Sequence, residues 1–208
     1  MAYNGENPNK TKGYSNMRTK FFEIAAEYQA RYTKILDNYY PAHKSTGFTE
    51  RNQSVNFTGA IESLYPGAFT WYEAPIGAGY KEHFDAVTFD TASKKIFIIE
   101  SKRFSNPEQK LESVGRDIER IMDEDNIAAV CEHLSEKEKY TKYGVILADV
   151  WLETAPKKEI AEHWEVEDFF EAYSNKLKLS REVKNPQFWQ CGFPQVENYR
   201  LLALLFDI

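Results

Sequence analysis

Phe84-Asp85-Ala86-Val87-Thr88-Phe89-Asp90-Thr91-Ala92-Ser93-Lys94-Lys95-Ile96-Phe97-Ile98-Ile99-Glu100-Ser101-Lys102 is the stretch on which the fold turns. Two strand-like apolar runs, Phe84 to Phe89 and Ile96 to Lys102, flank the short polar linker Asp90 to Lys94, which has the small-residue chemistry of a hairpin connection. Folding the chain about the linker's centre, between Ala92 and Ser93, sets Asp85 opposite Glu100. Side chains alternate across a strand. One face should therefore carry Val87, Phe89, Ile96 and Ile98, with Asp85, Glu100 and Lys102 at its outer end. The other should carry Phe84, Ala86, Phe97 and Ile99. A hairpin apolar on both faces belongs in the middle of a larger sheet, where an unpaired charge costs several kcal/mol and opposed like charges repel. Something must compensate the two acids. A divalent cation does so, and hard oxygen donors select magnesium, manganese or calcium over softer metals. The competing structural reading is an ordinary strand end at which Lys102 neutralises one acid near the surface.

The pattern Asp85, then Glu100-Ser101-Lys102 on the following strand, resembles the PD-(D/E)XK nuclease superfamily, with its restriction-endonuclease-like fold. The resemblance implies that Asp85 and Glu100 bind catalytic Mg2+, with Mn2+ as a substitute, and that Lys102 orients or activates the attacking water. It extends loosely over about Phe48 to Trp151, as a helix, a strand, the hairpin, a helix and another strand. Phe84 stands where the family's name-giving proline would be. Family members commonly add an acid from the first core helix, which makes Glu50 a third metal-ligand candidate and Glu62 its rival. Members that use a polar residue on the helix after the lysine make Gln109, Ser113 and Arg116 candidates for phosphate or water contact. The plain alternative for each is an exposed helix position.

Outward from the hairpin, the periodicity predicts the remaining elements. Phe21, Phe22, Ile24, Ala25, Tyr28, Tyr32, Ile35 and Leu36 recur at helical spacing between Ser15 and Tyr40, ahead of Pro41. The tyrosine-rich stripe, with Tyr39 and Tyr40, suits packing onto the domain better than stacking on bases. Residues 1 to 14 are polar and read as a disordered tail, followed by a single domain over 15 to 208 with its core at about 48 to 151. A helix is expected from Phe48 or Thr49 to Leu64, stopped by Pro66-Gly67, with Glu50, Phe57, Ile61 and Leu64 inward. Ala68 to Ile76 reads as a strand, on which Glu73 is a further candidate for the acidic cluster, and Gly77 to Tyr80 as a flexible connection. Pro107 to Met122 reads as a helix with Leu111, Val114, Ile118, Ile121 and Met122 inward. Tyr143 to Trp151 is a continuous apolar run suited to a strand between helix layers. A helix over about Lys157 to Lys176 and a last strand over Tyr199 to Ile208, for which the Leu-rich composition keeps a helix as the alternative, complete the prediction. The fold class is thus α/β, a mixed central sheet flanked by helices, with an added N-terminal helix.

Composition narrows the function. The 208 residues are 42% hydrophobic, enough for one substantial core and against disorder. No apolar run approaches the roughly 20 residues needed to span a bilayer, and Met1 to Glu6 lacks the layout of a secretion signal, so the expected location is cytoplasmic, away from membranes. Cys131 and Cys191 lack metal-site spacing and read as buried reduced thiols. His43, His83, His133 and His163 form no HExxH pair, although His83 is placed to flank the acids, and no GxSxG or phosphate-loop signature occurs. The net charge of −6 argues against a broad basic nucleic-acid surface. Lys81, Lys94, Lys95, Lys102, Arg103, Lys110, Arg116 and Arg120 nevertheless cluster in sequence around the motif, as a local basic groove would need. The expected activity is Mg2+-dependent phosphodiester hydrolysis on nucleic acid, DNA foremost. The alternative is a catalytically silent module of the same fold that binds nucleic acid or a protein partner, and either form can assemble as a homo-oligomer.

Overall fold

A computed structural model describes residues 8–39, 49–77, 81–177, 179 and 182–208. The expectations for residues 1–7, Tyr40, the Pro41 to Gly47 loop, His43 and Ala78 to Tyr80 lie outside them. The chain forms helices α1 (Pro8–Asn38) and α2 (Glu50–Leu64), strands β1 (Ala68–Ile76), β2 (Glu82–Asp90) and β3 (Lys95–Arg103), and helices α3 (Pro107–Ile121) and α4 (Glu124–Cys131). After a 3-10 turn at Lys137–Lys139 come β4 (Thr141–Trp151), α5 (Ala155–Trp164), α6 (Phe169–Leu177), β5 (Lys184–Phe193) and β6 (Val196–Asp207). The six strands make one mixed sheet in the order β1-β2-β3-β4-β6-β5. Only β3 and β4 run parallel, which requires the crossover that α3 and α4 supply; the other neighbours are antiparallel. The α/β class and the mixed, helix-flanked sheet are as expected.

The hairpin pairs Ala86 with Ile99 and Asp90 with Lys95, the register expected from the turn, and the ladder stops one pair short of Asp85 and Glu100. Asp90 secures the turn, its carboxylate accepting the amides of Ala92 at 3.1 Å and Ser93 at 3.2 Å and the Ser93 hydroxyl. Each face of the sheet then carries its own core. On one side Phe97, Ile99, Val145, Leu147, Leu201 and Leu205 are covered by α1 and α2 through Phe21, Ile24, Tyr28, Tyr32, Phe57 and Ile61. On the other, Val87, Ile96, Ile98, Ile146 and Leu204 are covered by Leu111, Val114, Ile118 and Ile121 of α3 and by Trp164 and Phe169. Burying such a side chain is worth roughly 1.5–3 kcal/mol, so four of them on α3 suffice to fix its place over the hairpin. Gly115 lets α3 sit close, since a Cβ there would come within 1.8 Å of the Leu177 carbonyl oxygen.

Several boundaries differ from expectation, each for a physical reason. Helix α1 begins at Pro8, inside the stretch read as a tail, because Pro at the first turn and the polar residues after it are compatible with a helix that lacks an apolar stripe there. Leu64, expected inward, is 40% exposed, and α2 turns Gln53, Ser54, Thr58 and Ala60 inward instead. The single helix expected over Lys157 to Lys176 is two, α5 and α6, broken between Trp164 and Phe169. Helix α4 and strand β5 were absent from the sequence reading. The polar spacing of β5 follows from its position at the sheet edge, where one side of the strand has no neighbour. Among the described residues no helix is long and apolar enough to cross a membrane, and Cys131 and Cys191 are free thiols, the first buried and the second half-buried.

Candidate active site

The hairpin ladder ends before its strands do. β2 and β3 pair from Asp90 and Lys95 as far as Ala86 and Ile99, yet β2 starts at Glu82 and β3 runs on to Arg103 beside β4. β1 is irregular at the same level. Glu73 has a φ of 52°, and the pairing of Tyr72 with Ala86 passes directly to that of Ala74 with Phe84. A left-handed glutamate is costly and breaks the alternation of side chains. At the same level of β2, Phe84 packs with Val87 and Phe89 in the core under α3, a correction to its expected place on the opposite face. Asp85 sits at the break, and its carboxylate reaches toward β3 and accepts the Ser101 amide at 2.7 Å, a donor that a continuing ladder would have given to the β2 backbone.

Glu100 and Lys102 point toward α3, as their alternation with Ile96 and Ile98 requires. Glu100 is 1% exposed, and its Oε1 accepts from Arg120 Nη2 at 2.6 Å. The same nitrogen reaches Asp117 Oδ1 at 3.1 Å, and Lys102 Nζ lies 2.7 Å from Asp117 Oδ2. Three acids and two cations thus share one notch above the end of β3. Burial, followed by the charges of Asp85 and Asp117, pushes the Glu100 carboxyl up to about 8 despite Arg120 and Lys102. Asp85 is also raised, chiefly by burial, against the pull of the Ser101 amide and Lys102. Burial works against the charge of Lys102, but Asp117 and the other acids outweigh it and raise its pKa, so the ammonium form is firmly held.

Behind this notch, α2 braces the β3 end. Gln53 donates from Nε2 to the Lys102 carbonyl at 2.9 Å, and the Ser54 and Ser101 hydroxyls meet at 2.7 Å, so the backbone that carries Glu100 and Lys102 is tied on both sides. Glu50, on the first turn of α2, accepts the Arg103 amide at 3.0 Å and lies 3.4 Å from Lys110 Nζ. Its charge is felt at Asp85, although its hydrogen bond and ion pair cap the strand end.

The other candidates are dispersed. Glu62 accepts from Thr70 Oγ1 at 2.6 Å on an exposed surface, and Glu73 pairs with His83 at 2.6 Å, so none of these three residues joins the cluster. Gln109 is exposed, Ser113 is half-buried, and Arg116 lies 3.7 Å from Glu112. Asp117 and Arg120 were missed as site residues. The signal was present for Asp117, three residues after Val114 and four before Ile121, which puts an acid on the apolar stripe of α3.

Among the described residues, no three His, Cys, Asp or Glu side chains are gathered as a ready-made metal cage. The donor chemistry still fits Mg2+ or Mn2+. Such ions are held through one or two carboxylates, with water and substrate phosphate completing the shell, and Asp85 and Glu100 offer hard oxygens whose mutual repulsion an ion relieves. No protein-family model, curated protein or solved structure matches the chain.

Proposed function

We propose that the chain is a divalent-metal-dependent nuclease, hydrolysing phosphodiester bonds in DNA on a restriction-endonuclease-like core. The observation that carries the reading is the convergence of Asp85, Glu100 and Lys102 at the point where β2 leaves β3, on elements arranged as helix, strand, hairpin, helix and strand. Bound there, Mg2+ or Mn2+ would neutralise phosphate charge and lower the pKa of a coordinated water. Asp85 and Glu100 supply the ligand oxygens, with Glu50 the third candidate. The Ser101 amide fixes one Asp85 oxygen and so presents the other. Lys102, kept protonated by Asp117, acts as a donor and positive charge that orients the attacking water and stabilises charge developing on the phosphate, not as a base. Arg116 and Gln109, exposed on α3, are candidates for backbone phosphate contact.

The test is incubation of plasmid, linear and single-stranded DNA with the protein in Mg2+, in Mn2+ and in EDTA. Metal-dependent cleavage that Asp85→Ala, Glu100→Ala and Lys102→Ala each abolish, while the variants still melt cooperatively, supports the reading; full activity in all three refutes it. A specific observation favours the second reading, a silent module: Glu100 and Lys102 are already engaged by Arg120 and Asp117. The net charge of −6 then points to a protein partner more than to nucleic acid. Absence of cleavage together with absence of Mn2+ uptake by the wild-type protein selects it.

A further inference from the structure

We propose, resting on the nuclease reading, that Arg120 is an internal counter-cation which occupies the acid notch until a divalent ion displaces it. One nitrogen, Nη2, bridges Glu100 Oε1 at 2.6 Å and Asp117 Oδ1 at 3.1 Å, so it holds a Glu100 oxygen that the proposed ion would also need. The fit is incomplete in a way that a permanent strut would not be. Arginine holds carboxylates best with two nitrogens in a planar fork, but here Nη2 alone serves both acids and Nε is buried with no hydrogen-bond partner among the described residues. A buried donor left unmade is a cost that withdrawal of the side chain relieves. A route out exists as well, because the Arg120 side chain is 28% exposed while those of Glu100 and Asp117 are 1% and 7%.

The charged groups facing the notch act in opposite directions, and Glu50 from α2 and Glu82 from β2 add to the acidic side. Asp85 from β2, Glu100 from β3 and Asp117 from α3 are opposed by Lys102 and Arg120. Without the guanidinium, three acids would share one ammonium, and their repulsion would be relieved by an incoming ion. Loss of Arg120 should then tighten divalent binding. A residue that merely props the acids in place has the opposite signature, because its loss would scatter them and weaken binding.

Calorimetric titration of Mn2+ into the wild-type protein, Arg120→Gln and Arg120→Lys, with thermal melts to confirm folding, decides between these. Arg120→Gln is expected to bind Mn2+ about tenfold or more tightly than wild type, with Arg120→Lys in between. Equal or weaker binding by Arg120→Gln overturns the proposal and, where wild type itself takes up Mn2+, leaves the nuclease reading standing. No uptake by any of the three proteins overturns both. If Arg120→Gln does not fold, Arg120→Lys carries the test: tighter binding than wild type supports the displacement, and equal or weaker binding refutes it.

Discussion

Glu100 and Asp149 are buried acids near the same ends of adjacent parallel strands, and the molecule treats them differently. Asp149, fully buried on β4, faces the α1 and α2 side, where the Tyr199 hydroxyl donates to its Oδ2 at 3.0 Å beside Tyr28 and Tyr32. Burial pushes its carboxyl up to about 7, and the Tyr199 bond only partly offsets this. Glu100 faces α3, where its neighbours are two further acids and two long cations with access to solvent. Burial alone therefore does not mark a functional acid. An acid sealed among tyrosines specifies packing, whereas one crowded by other acids at a broken strand ladder, beside partly exposed cations, is equipped for ion chemistry.

The contrast breaks most visibly if the two positions respond alike to isosteric neutralisation. Glu100→Gln is expected to lower Mg2+-dependent DNA cleavage at least about a hundredfold, while Asp149→Asn leaves it within a few-fold, measured as initial rates on the same substrate. Next in size, Tyr199→Phe leaves Asp149 buried without its donor and should cost about 1–3 kcal/mol in urea unfolding with little change in cleavage per folded molecule. Stability against pH sharpens the same point. The Asp149 pKa lies near 7 in the folded chain, against an ordinary value of 3.8, so the folded state keeps a proton that the unfolded state gives up. That contribution to stability is fully present below the ordinary value and is lost as pH climbs through about 7. Thermal melts should therefore show wild type losing more stability than Asp149→Asn between about pH 5 and about pH 8. The smallest effect belongs to Arg116→Ala, an exposed position whose loss should change stability by no more than about 0.5 kcal/mol and should lessen the salt dependence of DNA binding.

The hairpin and its register were legible because two near-continuous apolar runs around a short polar turn leave few alternatives. The last strand was legible for a related reason: Leu201 to Phe206 has too few polar positions for a surface helix. What was missed depended on tertiary context. β5 lies at the sheet edge, where polar residues are tolerated, and α4 is only Glu124–Cys131, too short to display a period. The Glu73 irregularity and the change of face between Phe84 and Ala86 have no local signature, since glutamate rarely takes a left-handed backbone. Within the site, the register of the hairpin as far as Ala86 and Ile99 followed from the turn, but not the end of the ladder there, which leaves the Asp85 carboxylate to accept the Ser101 amide. The roles of Asp117 and Arg120 required knowing which face of α3 lies over β3, and an acid inside an apolar helical stripe was the clue to it.

The most direct measurement is anomalous diffraction from crystals of the wild-type protein soaked in MnCl2. The account predicts a manganese peak within coordination distance of both Asp85 and Glu100, with the Arg120 guanidinium moved away from Glu100. A saturating soak that yields no peak there, with the bond from Arg120 to Glu100 intact, would contradict it.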